Sequence, residues 1–126
     1  MGREKTPTRE AGREAERLAA RFLREKGYRI LATNYITRLG EIDIVAESQG
    51  QLIFVEVRSL RSPERHLPEE TVTLPKQARL SRTALAYIQE NGLEDRPARF
   101  DVVGVSTSVG VPSFRHVEDA FELVEF

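Results

Sequence analysis

The segment Gly40–Arg58, GEIDIVAESQGQLIFVEVR, constrains this chain more than any other. Two β-branched, alternating runs are separated by Ser48, Gln49 and Gly50, so the segment is predicted to form two strands joined by a short turn. Such a turn makes the strands antiparallel neighbours. Alternate side chains share a face. Glu41, Asp43 and Val45 therefore fall on one face of the first strand, and Leu52, Phe54, Glu56 and Arg58 on one face of the second. Ile42, Ile44, Ile53, Val55 and Val57 are assigned to the opposite face. One register sets Asp43 across from Glu56 and Glu41 across from Arg58, and a slip of two residues sets Glu41 across from Glu56. Both gather carboxylates and a guanidinium among apolar side chains.

Carboxylates crowded in such a setting repel and are poorly hydrated, so they need a compensating positive charge. A divalent cation supplies one. Hard oxygen donors favour Mg²⁺ or Mn²⁺, and a chain with no cysteine and two histidines offers little to zinc. The alternative is a buried ion-pair cluster in which Arg58 holds Glu41 and Glu56 for structural reasons.

The rest of the chain is read around this hairpin. Ala11, Ala15, Leu18, Ala19, Phe22 and Leu23 recur at helical spacing, giving a helix over Thr8–Lys26 that Gly27 stops, after a loose tail at 1–5. Glu16 lies at the edge of that apolar stripe, as a third carboxylate beside the hairpin or as a solvent-facing residue. Gly12, costly in a helix interior by about 1 kcal/mol, is explained if a backbone or ligand comes close. Strands follow at Tyr28–Tyr35, Glu41–Glu47 and Gln51–Arg58, then a long loop over 59–74, a helix over Pro75–Asn91, and strands at Arg99–Ser106 and Ser113–Val117. The expected order is α-β-β-β-α-β-β, an α/β fold with a mixed central sheet flanked by helices. At 126 residues the chain suits a single domain over 1–126.

Composition narrows the function classes. With 40% hydrophobic and 31% charged residues the chain is globular. No apolar run approaches a membrane span, and the polar start MGREKTPTRE lacks the apolar core of a signal peptide. The absence of cysteine excludes thiol chemistry and fits a cytoplasmic location. The net charge of −1 hides local basic stretches, +3 over Arg9–Arg29 and +3 over Arg58–Arg82. Local basic surface of this kind can bind phosphate, or serve as an ordinary solvated face. Asp101, inside an apolar strand, is expected to have a structural hydrogen-bond partner. His66 and His116 are assigned no chemistry, and Tyr28, Tyr35 and Tyr87 are assigned to packing.

Asp43 followed by Glu56-Val57-Arg58 resembles the signature of the PD-(D/E)XK nuclease superfamily, with Arg58 where that pattern has lysine. Glu16 on the preceding helix is similar to the arrangement in archaeal-type Holliday junction resolvases. Gly12, Glu16, Ala19, Gly27-Tyr28, Asn34, the GEID block, FVEVR at 54–58, Val72, Lys76 and the RFDVV block at 99–103 resemble the bacterial YraN-like family. The resemblance implies a restriction-endonuclease-like fold and metal-dependent endonuclease-like hydrolysis of phosphodiesters in structured or branched DNA. Asp43 and Glu56 would bind Mg²⁺, with Glu16 as a further ligand and Arg58 against phosphate or water. An arginine stays protonated and cannot serve as a base. Lys76, Arg61, Arg65 and Arg79 would contact the nucleic-acid backbone, with Arg82 beside them, and the resolvase analogy implies a homodimer. The alternative is a nuclease-fold module that binds nucleic acid or protein with little or no cleavage.

Overall fold

A computed structural model describes residues 5–60, 68–107 and 110–123, with the side chains of 5–9 and 11 left aside. The elements are α1 (Lys5–Glu25), β1 (Arg29–Thr37), β2 (Gly40–Ser48), β3 (Gln51–Ser59), a short 3-10 turn (Pro68–Thr71), α2 (Leu74–Glu90), β4 (Ala98–Ser106) and β5 (Ser113–Phe121). The order is the expected α-β-β-β-α-β-β. Helix α1 begins at Lys5, so the expected tail loses its last residue to the helix, and residues 1–4 lie outside the described residues. Strand β5 runs four residues beyond the expected Val117.

The strands form one sheet in the order β1-β2-β3-β4-β5. All neighbours are antiparallel except β3 and β4, which are parallel. The crossover between them carries α2. The sheet is covered on both faces, which explains why Ile53, Val55, Val102 and Val103 are all buried and β3 and β4 read as continuous apolar runs. On one face Ala15, Ala19 and Leu23 of α1 pack on Ile44, Ala46, Ile53, Val55 and Val103. On the other, Leu80, Ala84 and Tyr87 of α2 pack on Ile42, Val45, Leu52, Phe54, Phe100 and Val102. Each fully buried aliphatic side chain contributes roughly 1.5–3 kcal/mol to this double layer.

Ile42 is a correction. Strict alternation assigns it to the face of Ile44, but it packs on the α2 side with Val45. The alternation breaks at Asp43, which takes the backbone N–H of Val57 on its own carboxylate at 2.8 Å. There β2 and β3 stop pairing as a regular ladder, whose last pair is Ile44 with Val55.

The two helices end and begin as their sequences dictate. Gly27, at φ +96°, closes α1: its N–H donates to the Arg24 carbonyl at 2.9 Å and that of Tyr28 to the Leu23 carbonyl at 2.9 Å. Thr73 caps α2 by accepting from the Lys76 N–H, and Pro75 sits in the first turn. This capping sets Lys76 at the helix start, beside the hairpin.

Candidate metal centre

The site lies where β2 and β3 part. The register of Ile44 with Val55 and Val45 with Phe54, carried on by one residue, sets Asp43 across from Glu56. This is the first of the two expected registers. Its other half is not realised. Glu41 accepts a hydrogen bond from Asn34 Nδ2 at 3.0 Å, whereas Arg58 turns to Glu56 at 3.3 Å and to Thr71 Oγ1 at 2.8 Å. The strands have separated before Glu41 and Arg58 could face each other.

Separation divides the acidic residues into two groups that meet at Asp43. Ligand oxygens of Glu16, Glu41 and Asp43 all lie within 4.8 Å of one another. Asn34 ties two of these together, its single amide nitrogen donating to Glu16 Oε1 at 2.9 Å and to Glu41 Oε2 at 3.0 Å. Asn34 has φ +52° inside a strand, a left-handed conformation that asparagine tolerates better than most residues. It follows a register shift between Ile30 and Ala32. The irregular backbone aims the amide at the carboxylates.

Glu56 belongs to the second group. It is 5% exposed and holds two cations on Oε2, Lys76 Nζ at 3.1 Å and Arg58 Nη1 at 3.3 Å. Asp43, Glu56, Lys76 and Arg79 line one small cavity of about 100 Å³ against α2. Lys76 therefore stands beside the carboxylate pair, where the sequence pattern has Arg58 in the lysine position.

The electrostatics differ sharply between the groups. Glu56 is compensated. Among the described residues Asp43 receives the Val57 N–H alone, and its carboxyl is pushed up to about 8 by burial first, then by repulsion from Glu56 and, less, from Glu16 and Glu41. A divalent cation beside these carboxylates would offset both the burial and the repulsion. Three oxygen donors of this kind fit Mg²⁺ or Mn²⁺, which bind through a few carboxylates and retain waters.

Among the residues singled out from the sequence, Glu16, Asp43, Glu56, Arg58 and Lys76 come together. Arg79 is exposed at the rim of the small cavity. Arg61 and Arg65 lie outside the described residues. Gly12 meets no atom within 4 Å of where a Cβ would stand, so the expected close backbone approach is absent and the residue borders open space. Glu41 and Asn34 are the members that sequence reasoning underweighted. The signal for Glu41 was its two-residue spacing from Asp43; that for Asn34 lay only in the family resemblance.

A second polar cluster lies around β4 and β5. Asp101 is fully buried and receives Arg99 Nε at 2.9 Å, Arg99 Nη2 at 3.2 Å, His116 Nε2 at 2.8 Å and the Asp119 N–H at 3.0 Å. Burial alone would raise this carboxyl, but the bonds from His116, Arg99 and Asp119 hold it below its usual value. Lys26 Nζ lies 2.7 Å from His116 Nδ1. The imidazole lies between Lys26 on its Nδ1 side and Asp101 on its Nε2 side. Asp101 thus has the structural partners expected of it, and His116 is one of them. Tyr35 and Tyr87 pack edge to face at 5.1 Å, in keeping with a packing role.

Fold and site together define an α/β protein with a carboxylate cluster at the split end of a mixed sheet. The model of the Uncharacterised protein family UPF0102 matches residues 15–105, and the chain belongs to this family. A UPF0102 protein of Syntrophus aciditrophicus is 46% identical over 112 residues, covering 89% of this chain and 88% of its own. One from Lachnoclostridium phytofermentans is 52% identical over 93 residues, 73% of this chain and 79% of its own. One from Nitrosococcus oceani is 39% identical over 116 residues, 91% and 94%. Among solved structures, Pyrococcus furiosus SfsA in complex with Ca²⁺ is 18% identical with a TM-score of 0.39, the match covering 88% of this chain and 63% of that one. Among the described residues no helix is long and apolar enough to cross a membrane.

Proposed function

We propose that the protein is a metal-dependent endonuclease-like hydrolase of phosphodiesters, acting on DNA that is branched or otherwise structured. The observation that carries this is the uncompensated Asp43 between two acidic neighbours on one side and a cation-bound glutamate on the other. The resemblance of Asp43, Glu56-Val57-Arg58 and Glu16 to PD-(D/E)XK nucleases supports the choice of phosphodiester as the bond.

Glu16, Glu41 and Asp43 would hold Mg²⁺ or Mn²⁺, with Glu56 close behind Asp43. Such an ion supplies Lewis-acid polarisation of the phosphate and an acidified water. The chain's own residues do the rest. Asn34 holds Glu16 and Glu41 in a converging pose. Val57 N–H fixes the Asp43 carboxylate. Lys76 and Arg58 pair with Glu56, and both present positive charge where phosphate charge grows in the transition state. Arg58 remains a cation throughout, so its part is charge stabilisation. Lys76 takes the place beside the carboxylates that a lysine on β3 would have taken.

The test is cleavage of labelled four-way junction, flap and linear duplex DNA with Mg²⁺ or Mn²⁺, comparing wild type with Asp43→Ala and Glu41→Ala. Metal-dependent cleavage lost in both variants supports the reading. No cleavage of any form by the wild type removes it. In that event the nuclease-fold binding module is what stands, and salt-dependent DNA binding by the wild type is its mark.

A further inference from the structure

Helix α1 and strand β1 enclose an open groove of about 880 Å³, far larger than the cavity against α2. One wall is a single face of α1 carrying Arg13, Arg17 and Arg24, with Glu16 among them. The other wall carries Thr33, Asn34, Ile36 and Glu41. Glu16 and Glu41 face each other across this groove, and Asp43, whose ligand oxygen lies within 4.8 Å of theirs, lines the small cavity next to it. Along the helix Glu16 lies three residues after Arg13 and eight before Arg24, about 4 Å and 12 Å at 1.5 Å per residue. Positive charge thus flanks the carboxylates in both directions.

These arginines differ in how they are engaged. Arg17 is paired with Glu14 on the same helix. Arg21, outside the groove, is paired with Glu25. Among the described residues, no carboxylate pairs with Arg13 or Arg24. The groove floor is kept low by Gly12 and Ala20, and nothing stands within 4 Å of a Cβ at Gly12. Ile36, 67% exposed, offers an apolar surface on the sheet side.

We infer that this groove is the track for one strand of nucleic acid, which lies along α1 and passes over Glu16, Glu41 and Asp43 with phosphates held by Arg13 on one side and Arg24 on the other. The span from Arg13 to Arg24 is about 16 Å, close to the axial length of five nucleotides of one strand at roughly 3.4 Å each. A strand gripped on both sides of the carboxylates is cut internally, not from an end. Asn34 has its amide nitrogen committed to Glu16 and Glu41, and Thr33 and Ile36 offer no bidentate fork, so the track reads backbone and not sequence. The inference rests on the proposed nuclease-like reading and names how its substrate lies.

The test separates binding from cleavage. Fluorescence anisotropy with labelled single-stranded, duplex and junction oligonucleotides is measured over a salt series in Ca²⁺. The comparison is wild type, Arg13→Gln/Arg24→Gln, and Arg21→Gln as the control outside the groove. The double variant is expected to bind at least tenfold more weakly, with the slope of log affinity against log salt reduced by about 2. The control should match wild type. Mn²⁺ binding by the double variant, measured by calorimetry, should also match wild type, showing that the fold and the carboxylates are intact. Cleavage by wild type with unchanged affinity and slope in the double variant overturns the groove and leaves the nuclease reading standing. A wild type that binds DNA through Arg13 and Arg24 yet cuts nothing keeps the track and removes the nuclease reading. A circular single strand that resists nicking under conditions where linear DNA is degraded overturns internal cutting.

Discussion

Replacing Asp43 with asparagine should make the metal-free protein more stable, although it removes a central ligand. The carboxyl rises from 3.8 to about 8 in the folded chain, chiefly by burial and by repulsion from Glu56. A raised folded pKa contributes stability that is fully present below the unfolded value and is lost as pH rises through the folded one. For Asp43 the window runs from pH 4 to pH 8. At pH 7 the folded chain must hold a proton that the unfolded chain releases, a cost of at most about 4 kcal/mol at ~1.36 kcal/mol per unit. Water at the open side of the cluster screens part of this, leaving ~2 kcal/mol. Asparagine is neutral, nearly isosteric, and keeps an oxygen for the Val57 N–H. In a chain of 126 residues ~2 kcal/mol is roughly 6–10 °C in Tm. The assay is thermal unfolding of wild type and Asp43→Asn between pH 4 and pH 8.5, with and without Mn²⁺. The variant should be more stable at pH 8, equal near pH 4, and indifferent to Mn²⁺, whereas saturating Mn²⁺ raises the wild-type Tm. A variant no more stable than wild type at pH 8, or one with the same advantage at both ends, would refute the electrostatic argument.

Other residues give shorter tests. Asn34→Ala loses both amide bonds to Glu16 and Glu41, so Mn²⁺ affinity should fall about 10–100-fold by calorimetry with the fold retained by circular dichroism. Lys76→Met leaves buried Glu56 with Arg58 as its remaining partner; denaturant unfolding should show a loss of about 1–2 kcal/mol, largely restored by Lys76→Arg. Asp101→Ala takes the acceptor from the Asp119 N–H and from His116, leaves Arg99 with Gln51, Tyr28 and Glu118, and should cost roughly 3 kcal/mol in the same assay. Because the Asp101 carboxyl is held below its usual value, its contribution is present above the unfolded value near 3.8 and is lost as pH falls through the lower folded one, so the deficit of the variant should shrink in strong acid.

The hairpin was legible because period-2 alternation is a local property: residues 40–58 announce both strands and the turn, and leave two registers, between which only the pairing of Ile44 with Val55 decides. The helix between the third and fourth strands and the mixed sheet were implied by the α-β order, whereas the parallel pairing of β3 with β4 is read from the structure. Alternation misled at Ile42, since Asp43 spends its side chain on the Val57 N–H and the pleat is broken there. Glu41 was read as facing Arg58 in one register or Glu56 in the other because a continuing ladder was assumed, and the strands part first. Asn34 and the arginine face of α1 showed only as one residue of the family resemblance and as a +3 stretch over Arg9–Arg29, for a different reason. Their meaning depends on how α1 lies across β1, a tertiary arrangement that no local pattern encodes. Lys76, by contrast, was placed by its own helix cap, and only its partner, Glu56, needed the fold.

The central claim is that Glu16, Glu41 and Asp43 form a divalent cation site held ready by an unpaired, protonated Asp43. Calorimetric titration with Mn²⁺ at pH 7, repeated in buffers of different ionisation enthalpy, tests it directly. One ion should bind per chain with release of about one proton, since a group with its pKa near 8 is mostly protonated at that pH. Both the binding and the proton release should be lost in Glu41→Gln/Asp43→Asn. Binding without proton release, or no binding in the wild type, would contradict the account.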